Sequence, residues 1–313
     1  MLSTSSNALA SNALRGVLAM TAATALLVLN DAIAKHLSEI YPVGQILFWR
    51  QAIGAFALFA VLAIRRELSD LRIVDARGQL FRGVLFVANT FLIVYSLSVL
   101  PLPLVSAILF SSPIIIAALS GPLLGEIITL RRWAAILIGF AGVLVIVRPG
   151  GTAFTWLMLL PVAPAFVSSL RDIVTRRLTR TETSLSILFW SNALIVPAGL
   201  ATYLAGSPWQ PVTAIVAAWL AVNALLNLSA HFLMIHALRI ADASLVAPFK
   251  YTGLIWAFLL GLVIWGYTPD LWTIAGTILI VASGLYALER KPRAETSLPE
   301  PPPGSSVQLG VKP

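Results

Sequence analysis

Ile46-Leu47-Phe48-Trp49 recurs as Ile187-Leu188-Phe189-Trp190, 141 positions later. The same offset carries Asp31 to Asp172, Leu37 to Leu178, Phe91-Leu92 to Phe232-Leu233, Gly125 to Gly266 and Leu130 to Leu271. One register holds over 100 residues without a gap, then slips by one, so that Gly142 meets Gly284. A fused duplication accounts for this self-similarity, and the slip is the drift expected of a loop insertion.

Composition identifies the solvent around both copies. Soluble domains carry about a quarter charged residues, whereas this chain of 313 residues has 11% charged, 58% hydrophobic and a mean hydropathy of +0.90. In hydrocarbon only helices or a closed barrel satisfy the backbone. The apolar runs here are of helical length, about 20 residues, rather than alternating tens. The first run begins after Arg15 and lacks a small-residue cleavage site, so a span is expected there, not a signal peptide. No cysteine is present, which excludes thiol chemistry and thiolate metal sites.

Charges and turn residues predict ten membrane-spanning helices at 14–36, 43–64, 80–98, 102–123, 130–148, 154–176, 184–204, 213–237, 244–266 and 270–289. Residues 1–13 form a cytoplasmic N-terminal segment, 14–148 the first repeat, 154–289 the second, and the proline-rich 292–313 a disordered cytoplasmic tail. With the N-terminus inside, 16 of the 21 lysines and arginines fall in inner segments, Arg82 among them. Lys35 and Arg148 lie outside, and Arg50, Arg171 and Lys250 at membrane depth. Both termini are therefore expected in the cytoplasm, with the chain in the cytoplasmic membrane. The net charge of +8 reads as a topology signal scattered over short loops and not as a nucleic-acid footprint.

Five spans per copy is an odd number, so the second copy enters from the opposite side. The expected fold is all-α and integral to the membrane, two inverted five-helix repeats around a central cavity. Inverted repeats are a common construction of secondary transporters, whose halves exchange conformations about a midplane site.

The run Leu29-Asn30-Asp31-Ala32-Ile33-Ala34-Lys35, the segment Leu47-Phe48-Trp49-Arg50, Leu124-Gly125-Glu126, and Arg132-Trp133 leading into Gly139-Phe140-Ala141-Gly142-Val143 resemble the EamA family of the drug/metabolite transporter superfamily. The resemblance spans residues 14 to 290 and includes the five-plus-five duplication. It implies a central cavity with spans three, four, eight and nine among its walls and spans five and ten toward the periphery. Leu245-Val246-Ala247-Pro248-Phe249-Lys250-Tyr251-Thr252 and Ala282-Ser283-Gly284-Leu285-Tyr286 look most like the branch that includes S-adenosylmethionine uptake permeases. The chain departs from the family at Tyr267, the counterpart of Glu126, where an acidic residue is often repeated. It departs again at Gly253, where relatives of that branch often carry a polar or acidic side chain.

An ionisable group inside a membrane costs from a few to about 10 kcal/mol, so each one calls for a partner, a cavity or a function. Asp31 and Arg50 fall at equal depth on antiparallel spans, which predicts a salt bridge that either pins the hairpin or gates its outer side. Asp172 repeats Asp31, but Ser191 stands where Arg50 would recur, so Lys250 is the expected partner of Asp172. Such a pair would be a second latch at the cytoplasmic side. Asn223, Asn227 and His231 recur every four residues on one face of span eight. They form either an interhelical hydrogen-bond ladder or a recognition stripe, with His231 a proton carrier. Asn89 and Tyr95, Ser112 before Pro113, and Tyr251 and Trp256 complete the expected binding surface. Pro113 and Gly253 are expected gating bends.

The function expected is a secondary-active or facilitative permease for a small polar organic metabolite, carboxylate-bearing or zwitterionic, amino-acid-like or S-adenosylmethionine-like. Its expected partners are that solute, the lipid bilayer and protons. A proton-coupled exporter of amphipathic drugs or metabolites is the alternative, and a non-transporting scaffold a remote one. No His-Glu-x-x-His, Gly-x-Ser-x-Gly or P-loop pattern occurs, so neither an enzyme nor a metal or cofactor is expected.

Overall fold

Peptide groups in hydrocarbon must find hydrogen bonds within their own segment, and in the computed structural model the apolar runs do so as α-helices. The structure describes residues 2–124, 130–149, 154–178, 181–240 and 247–287. Among these, eleven α-helices follow in order: α1 (Leu2–Ser38), α2 (Val43–Arg65), α3 (Ala76–Val99), α4 (Leu102–Leu109), α5 (Ser112–Leu124), α6 (Leu130–Val147), α7 (Val162–Leu178), α8 (Ser184–Leu204), α9 (Ala214–Ile240), α10 (Thr252–Trp265) and α11 (Leu271–Ala287). Short 3-10 turns sit at Leu68–Leu71, Trp156–Leu159 and Ala247–Tyr251. Among the described residues six segments are long and apolar enough to cross a bilayer: Leu14–Ser38, Val43–Arg65, Ala76–Val99, Trp156–Thr175, Ser184–Leu204 and Ala214–Met234. Shorter apolar helices cover Leu102–Ile116, Trp133–Val147, Phe249–Trp265 and Leu271–Tyr286.

Polarity is turned inside out relative to a soluble protein. Phe56, Ile64 and Val263 are 73%, 83% and 71% exposed, while Gln45, Arg50 and Gln51 are each 2% exposed and Asn223 is fully buried. An apolar exterior around a polar interior is what lipid selects.

Of the boundaries that differ from expectation, among them the starts of α1 and α7, three bear on the interior. Helix α3 starts at Ala76 rather than 80, because Asp75 caps it, its Oδ1 accepting from Gly78 N at 2.9 Å. The expected helix over 102–123 breaks at Phe110 and Ser111. Pro113 has no N–H to return to Leu109, so α4 closes with Ser111 N donating to Ile108 O and α5 restarts with Ile114 N donating to Ser111 O. The expected helix over 244–266 enters through the 3-10 turn that carries Lys250. The expected disordered tail, 292–313, lies outside the described residues.

Packing follows the sequence repeat, which matches α1 to α7, α2 to α8, α3 to α9, α4–α5 to α10 and α6 to α11. Helix α1 packs on α9, and its counterpart α7 packs on α3. Likewise α2 packs on α9 as α8 packs on α3, and α1 on α10 as α7 on α5. Each of the pairs α2–α8 and α6–α11 joins an element to its own counterpart, and α4 packs on α10, the counterpart of its neighbour α5. The α6–α11 seam is backbone-close: a Cβ on Gly142 would lie 2.8 Å from Gly276 O, and one on Gly276 would lie 2.6 Å from Gly142 O. Small residues allow such contact in lipid, where van der Waals packing holds helices together.

Each end of the bundle is tied by a clasp built at matching positions. At one end Glu182 Oε1 accepts from Val74 N and Asp75 N, both at 2.7 Å, and Thr183 Oγ1 donates to Asp70 O at 2.7 Å. These bonds grip the α2–α3 linker with the start of α8. At the other end Gln45 Nε2 donates to Gln210 O at 2.6 Å and Tyr41 Oη to Pro211 O at 3.1 Å, gripping the α8–α9 linker with the start of α2. Tyr41 is the repeat counterpart of Glu182.

Two outcomes follow. Gly142→Val or Gly276→Val should each cost about 1–3 kcal/mol by overpacking, read as a lowered unfolding temperature in detergent. Burial alone would push the Glu182 carboxyl up, but the N–H groups of Asp75 and Val74 and the Ser186 hydroxyl hold it below the ordinary glutamate value. A depressed carboxyl stabilises the fold above its unfolded value of about 4.3 and loses that contribution as pH falls through the folded value. Glu182→Gln should therefore lower the unfolding temperature at pH 7, and its deficit against wild type should close as pH is taken from about 5 toward 3.

Candidate functional site

A cavity of about 330 Å³ lies between α1, α2, α3, α7, α8 and α9, beside the α4–α5 break and the turn before α10. Its volume falls at the low end of the ~300–1,000 Å³ usual for small-molecule sites. Helix α3 lays one stripe along it: Arg82, Phe86, Asn89, Thr90, Ile93 and Val94. Facing this stripe are Asn30 and Asp31 from α1, Arg50 from α2, Arg171, Asp172 and Thr175 from α7, Ser184 and Ser191 from α8, Asn227 and His231 from α9, and Lys250. The break between α4 and α5 brings Phe110 and Ser112 to the same space, and Ser168 faces Ser112 with their hydroxyl oxygens 3.4 Å apart.

Asp172 Oδ1 accepts from Arg171 Nε at 3.0 Å and Nη2 at 2.7 Å, so a neighbour in sequence neutralises it. Arg171 Nη1 reaches the Asn89 side-chain oxygen at 3.2 Å when the amide is turned so that its nitrogen donates to Pro164 O at 2.9 Å. Arg82, only 7% exposed, donates through Nε to Thr175 Oγ1 at 2.8 Å and through Nη1 to Ser191 Oγ and Ile187 O. Its guanidinium carbon and that of Arg171 both stand 5.7 Å from the centre of the Phe86 ring, and the His231 ring meets Phe86 at 6.2 Å, edge to face.

Asp31 Oδ1 accepts from Asn30 Nδ2 at 3.0 Å. Arg50 lies close enough for each charge to act on the other, yet Arg50 Nε is buried without a hydrogen-bond partner. The expected Asp31–Arg50 salt bridge is corrected: among the described residues the two make no ion pair within 4.0 Å. The expected Asp172–Lys250 pair is corrected too. Arg171 occupies the carboxylate, and Lys250 acts on it only through the field across the cavity.

Of the residues expected at the site, Lys250, His231, Asn227, Asn89, Ser112, Asp31, Arg50 and Asp172 share the cavity wall. Asn223 does not: it is buried between helices, its Nδ2 donating to Asn30 O at 2.7 Å and tying α9 to α1. Tyr251 packs into the core against Phe110, ring centres 6.1 Å apart. Tyr95 and Trp256, 49% and 37% exposed, lie outside the cavity wall. Gly253 is covered by Phe110, whose Cζ would stand 2.6 Å from an added Cβ. Of Pro113 only the backbone is described, beside the α4–α5 break. Arg82, expected in an inner loop, is the cavity residue that sequence reasoning misplaced. Its signal was Asp75, whose capping moves the start of α3 back and carries Arg82 almost two turns inside the helix.

The EamA-like transporter family profile matches residues 14–148 and again 155–288. A riboflavin transporter of Rhizobium johnstonii is 29% identical over 82% of this chain and 84% of its own. An S-adenosylmethionine uptake transporter of Rickettsia bellii is 25% identical over 85% and 90%, and the pseudopaline exporter CntI of Pseudomonas aeruginosa 26% over 86% and 94%. A solved crystal structure superposes with a TM-score of 0.61 at 21% identity, over 89% of this chain and 96% of its own, and so shares the fold. With the profile covering both halves and relatives over most of its length named as transporters, the chain belongs to the EamA-like transporter family of the drug/metabolite transporter superfamily, a multi-pass membrane protein of the transporter kind rather than an enzyme.

Proposed function

We propose that the chain is a permease of the cytoplasmic membrane, with both termini cytoplasmic, that moves a small carboxylate-bearing or zwitterionic metabolite by alternating access of two inverted five-helix halves. The observation that carries this is the seam: the repeat-related carboxylates Asp31 and Asp172 face one cavity from opposite halves. The exchanged packing partners support the same geometry, since a two-fold relation between halves requires α1–α9 to be mirrored by α7–α3. Four cationic side chains in that wall favour a solute carrying a negative group.

The two ends of the seam differ. Thr175 and Ser184 line the cavity near the end that holds the start of α8, whereas their counterparts Ala34 and Val43 are packed away, Ala34 with no exposure. Ile187 and Leu188 line the cavity, whereas their counterparts Ile46 and Leu47 do not. Beyond them Lys35 Nζ donates to Leu97 O at 2.7 Å and Leu100 O at 2.9 Å, stitching α1 to the end of α3. In the proposed topology the packed end is the outer one, so this is an inward-leaning state. Any coupling proton is assigned to Asp31, whose carboxylate faces the cavity with Asn30 as its hydrogen-bond donor.

The chain has no cysteine, so single cysteines can be placed without removing others. Thr175→Cys should react with a membrane-impermeant maleimide added from the cytoplasmic side, and Ala34→Cys should resist it from either side until substrate is added. Labelling of Ala34→Cys from outside at rest would reverse the assigned state. In proteoliposomes screened with metabolites, one carboxylate-bearing solute should accumulate, and Lys250→Ala should reduce uptake about tenfold, the loss of one charge-assisted contact. Asp31→Asn should abolish the response to an imposed pH gradient while leaving exchange intact. Absence of transport for every class of solute would overturn the permease assignment.

A further inference from the structure

The halves agree in their carboxylates and disagree in their cations. Asp31 recurs as Asp172, but Arg50 is matched by Ser191, Arg82 by Asn223, Arg171 by Asn30 and Lys250 by Leu109. Around Asp31 there is one cation, Arg50. Around Asp172 there are three, Arg171, Lys250 and Arg82, all acting on its charge. The cavity wall thus holds four cationic side chains against two carboxylates, with the surplus gathered around Asp172 from both repeats.

These cations are not equally committed. Arg171 is a strut, two of its nitrogens on Asp172 and the third on Asn89. Arg82 bonds only neutral oxygens, from Thr175, Ser191 and Ile187, which fix the direction of its guanidinium without neutralising it. The Lys250 ammonium meets no carboxylate within 4.0 Å among the described residues, and Asp172, the anion whose field it shares, is already taken. Two uncompensated cations facing one low-dielectric space are costly when the space is empty and attractive to an anion that enters. Away from them apolar side chains such as Ile93, Leu109, Phe110 and Met234 take the larger share of the wall, beside neutral polar ones such as Thr24 and Asn227.

We propose that Arg82 and Lys250 form an oxyanion-binding subsite in the Asp172 half of the cavity, and that the solute is net-anionic, a carboxylate or phosphate on a compact, largely apolar body. This deepens the permease assignment and rests on it for transport, but not for binding. Arg82 supplies the fixed donor fork, and Lys250, on the 3-10 turn entering α10, a longer-reaching point charge. A solute bearing only a cationic group is repelled, and a zwitterion is held less tightly than its deaminated analogue.

The test uses three probes built on one phenylethyl body: 3-phenylpropanoate, phenylalanine and 2-phenylethylamine, which carry the carboxylate alone, both groups, and the ammonium alone. Binding to the full chain in detergent is read as the probe concentration that half-saturates the rise in unfolding temperature. The carboxylate probe should bind best and the amine not at all. Arg82→Gln and Lys250→Gln should each weaken the carboxylate probe about tenfold, and Tyr95→Phe, outside the cavity, should leave it unchanged. If Arg82→Gln does not fold, Lys250→Gln still decides, since that ammonium has no hydrogen bond to lose among the described residues. Equal response to all three probes, preference for the amine, or no response to any overturns the proposal. Anion binding without transport of any solute would retain the subsite and remove the permease assignment. Transport of a neutral or cationic solute unaffected by Arg82→Gln would do the reverse.

Discussion

Hydrocarbon accepts no hydrogen bonds and solvates no charge, and that refusal organises the molecule. Helices satisfy their own peptides, so the choice of fold is narrow before any side chain is considered. Side chains are then sorted by the same rule: Phe56 and Ile64 turn outward, while Gln45, Arg50, Gln51 and Asn223 turn inward and must find partners there. Some find them in backbone carbonyls at helix ends or on a neighbouring helix, as Asn223 does at Asn30 O and Lys35 at Leu97 O and Leu100 O. Those with charges too large for a single carbonyl gather at the seam between the halves, and the cavity is where they gather.

Duplication supplies the seam, and divergence specialises it. Where the two copies do the same mechanical task, the geometry is kept although the chemistry changes. The start of α2 and the start of α8 each grip a linker of the opposite half, one through Tyr41 and Gln45, the other through Glu182 and Thr183. The first clasp is neutral. The second depends on a carboxylate kept ionised by backbone N–H groups, so it alone answers to acid. Identical positions thus produce ends of the bundle that respond to different conditions.

The all-helical, apolar character of the chain and its transporter family were legible in the sequence, because hydropathy, charge placement and a 141-residue offset are properties of the chain itself. Helix rotation was not. On α3 the cavity stripe runs through Arg82, Phe86, Asn89, Thr90 and Ile93, spacings of three and four that keep to one face. Tyr95 lies nine residues beyond Phe86, about 180° away at about 100° per residue, which takes it off the cavity face. Choosing Asn89 together with Tyr95 mixed two faces, and Arg82 was the residue that would have fixed the right one. The stripe on α9 is a subtler case. Asn223, Asn227 and His231 drift by about 40° per step, enough to place Asn223 against α1 while the other two face the cavity.

If the halves exchange conformations as proposed, asymmetry of charge within a repeated fold has a thermodynamic consequence. If the halves were chemically identical, the two end states would be equal in energy and a solute would be held equally in both. Here the carboxylates are shared but the cations are not, and the broken symmetry coincides with the end toward which the cavity reaches, at Thr175 and Ser184. Arg171 neutralises Asp172 from the next position in sequence, whereas Arg50 and Asp31 feel each other's charge without closing into a pair. At the proposed anion site, closing the wall around Asp172 on an anion would compensate Arg82 and Lys250, while the surroundings of Asp31 would gain nothing comparable from it. A ligand shifts a conformational equilibrium only by its difference in affinity for the two states, and under the proposed anion site that difference would be set by the cations gathered around Asp172, not by the pair of aspartates that the repeat preserves.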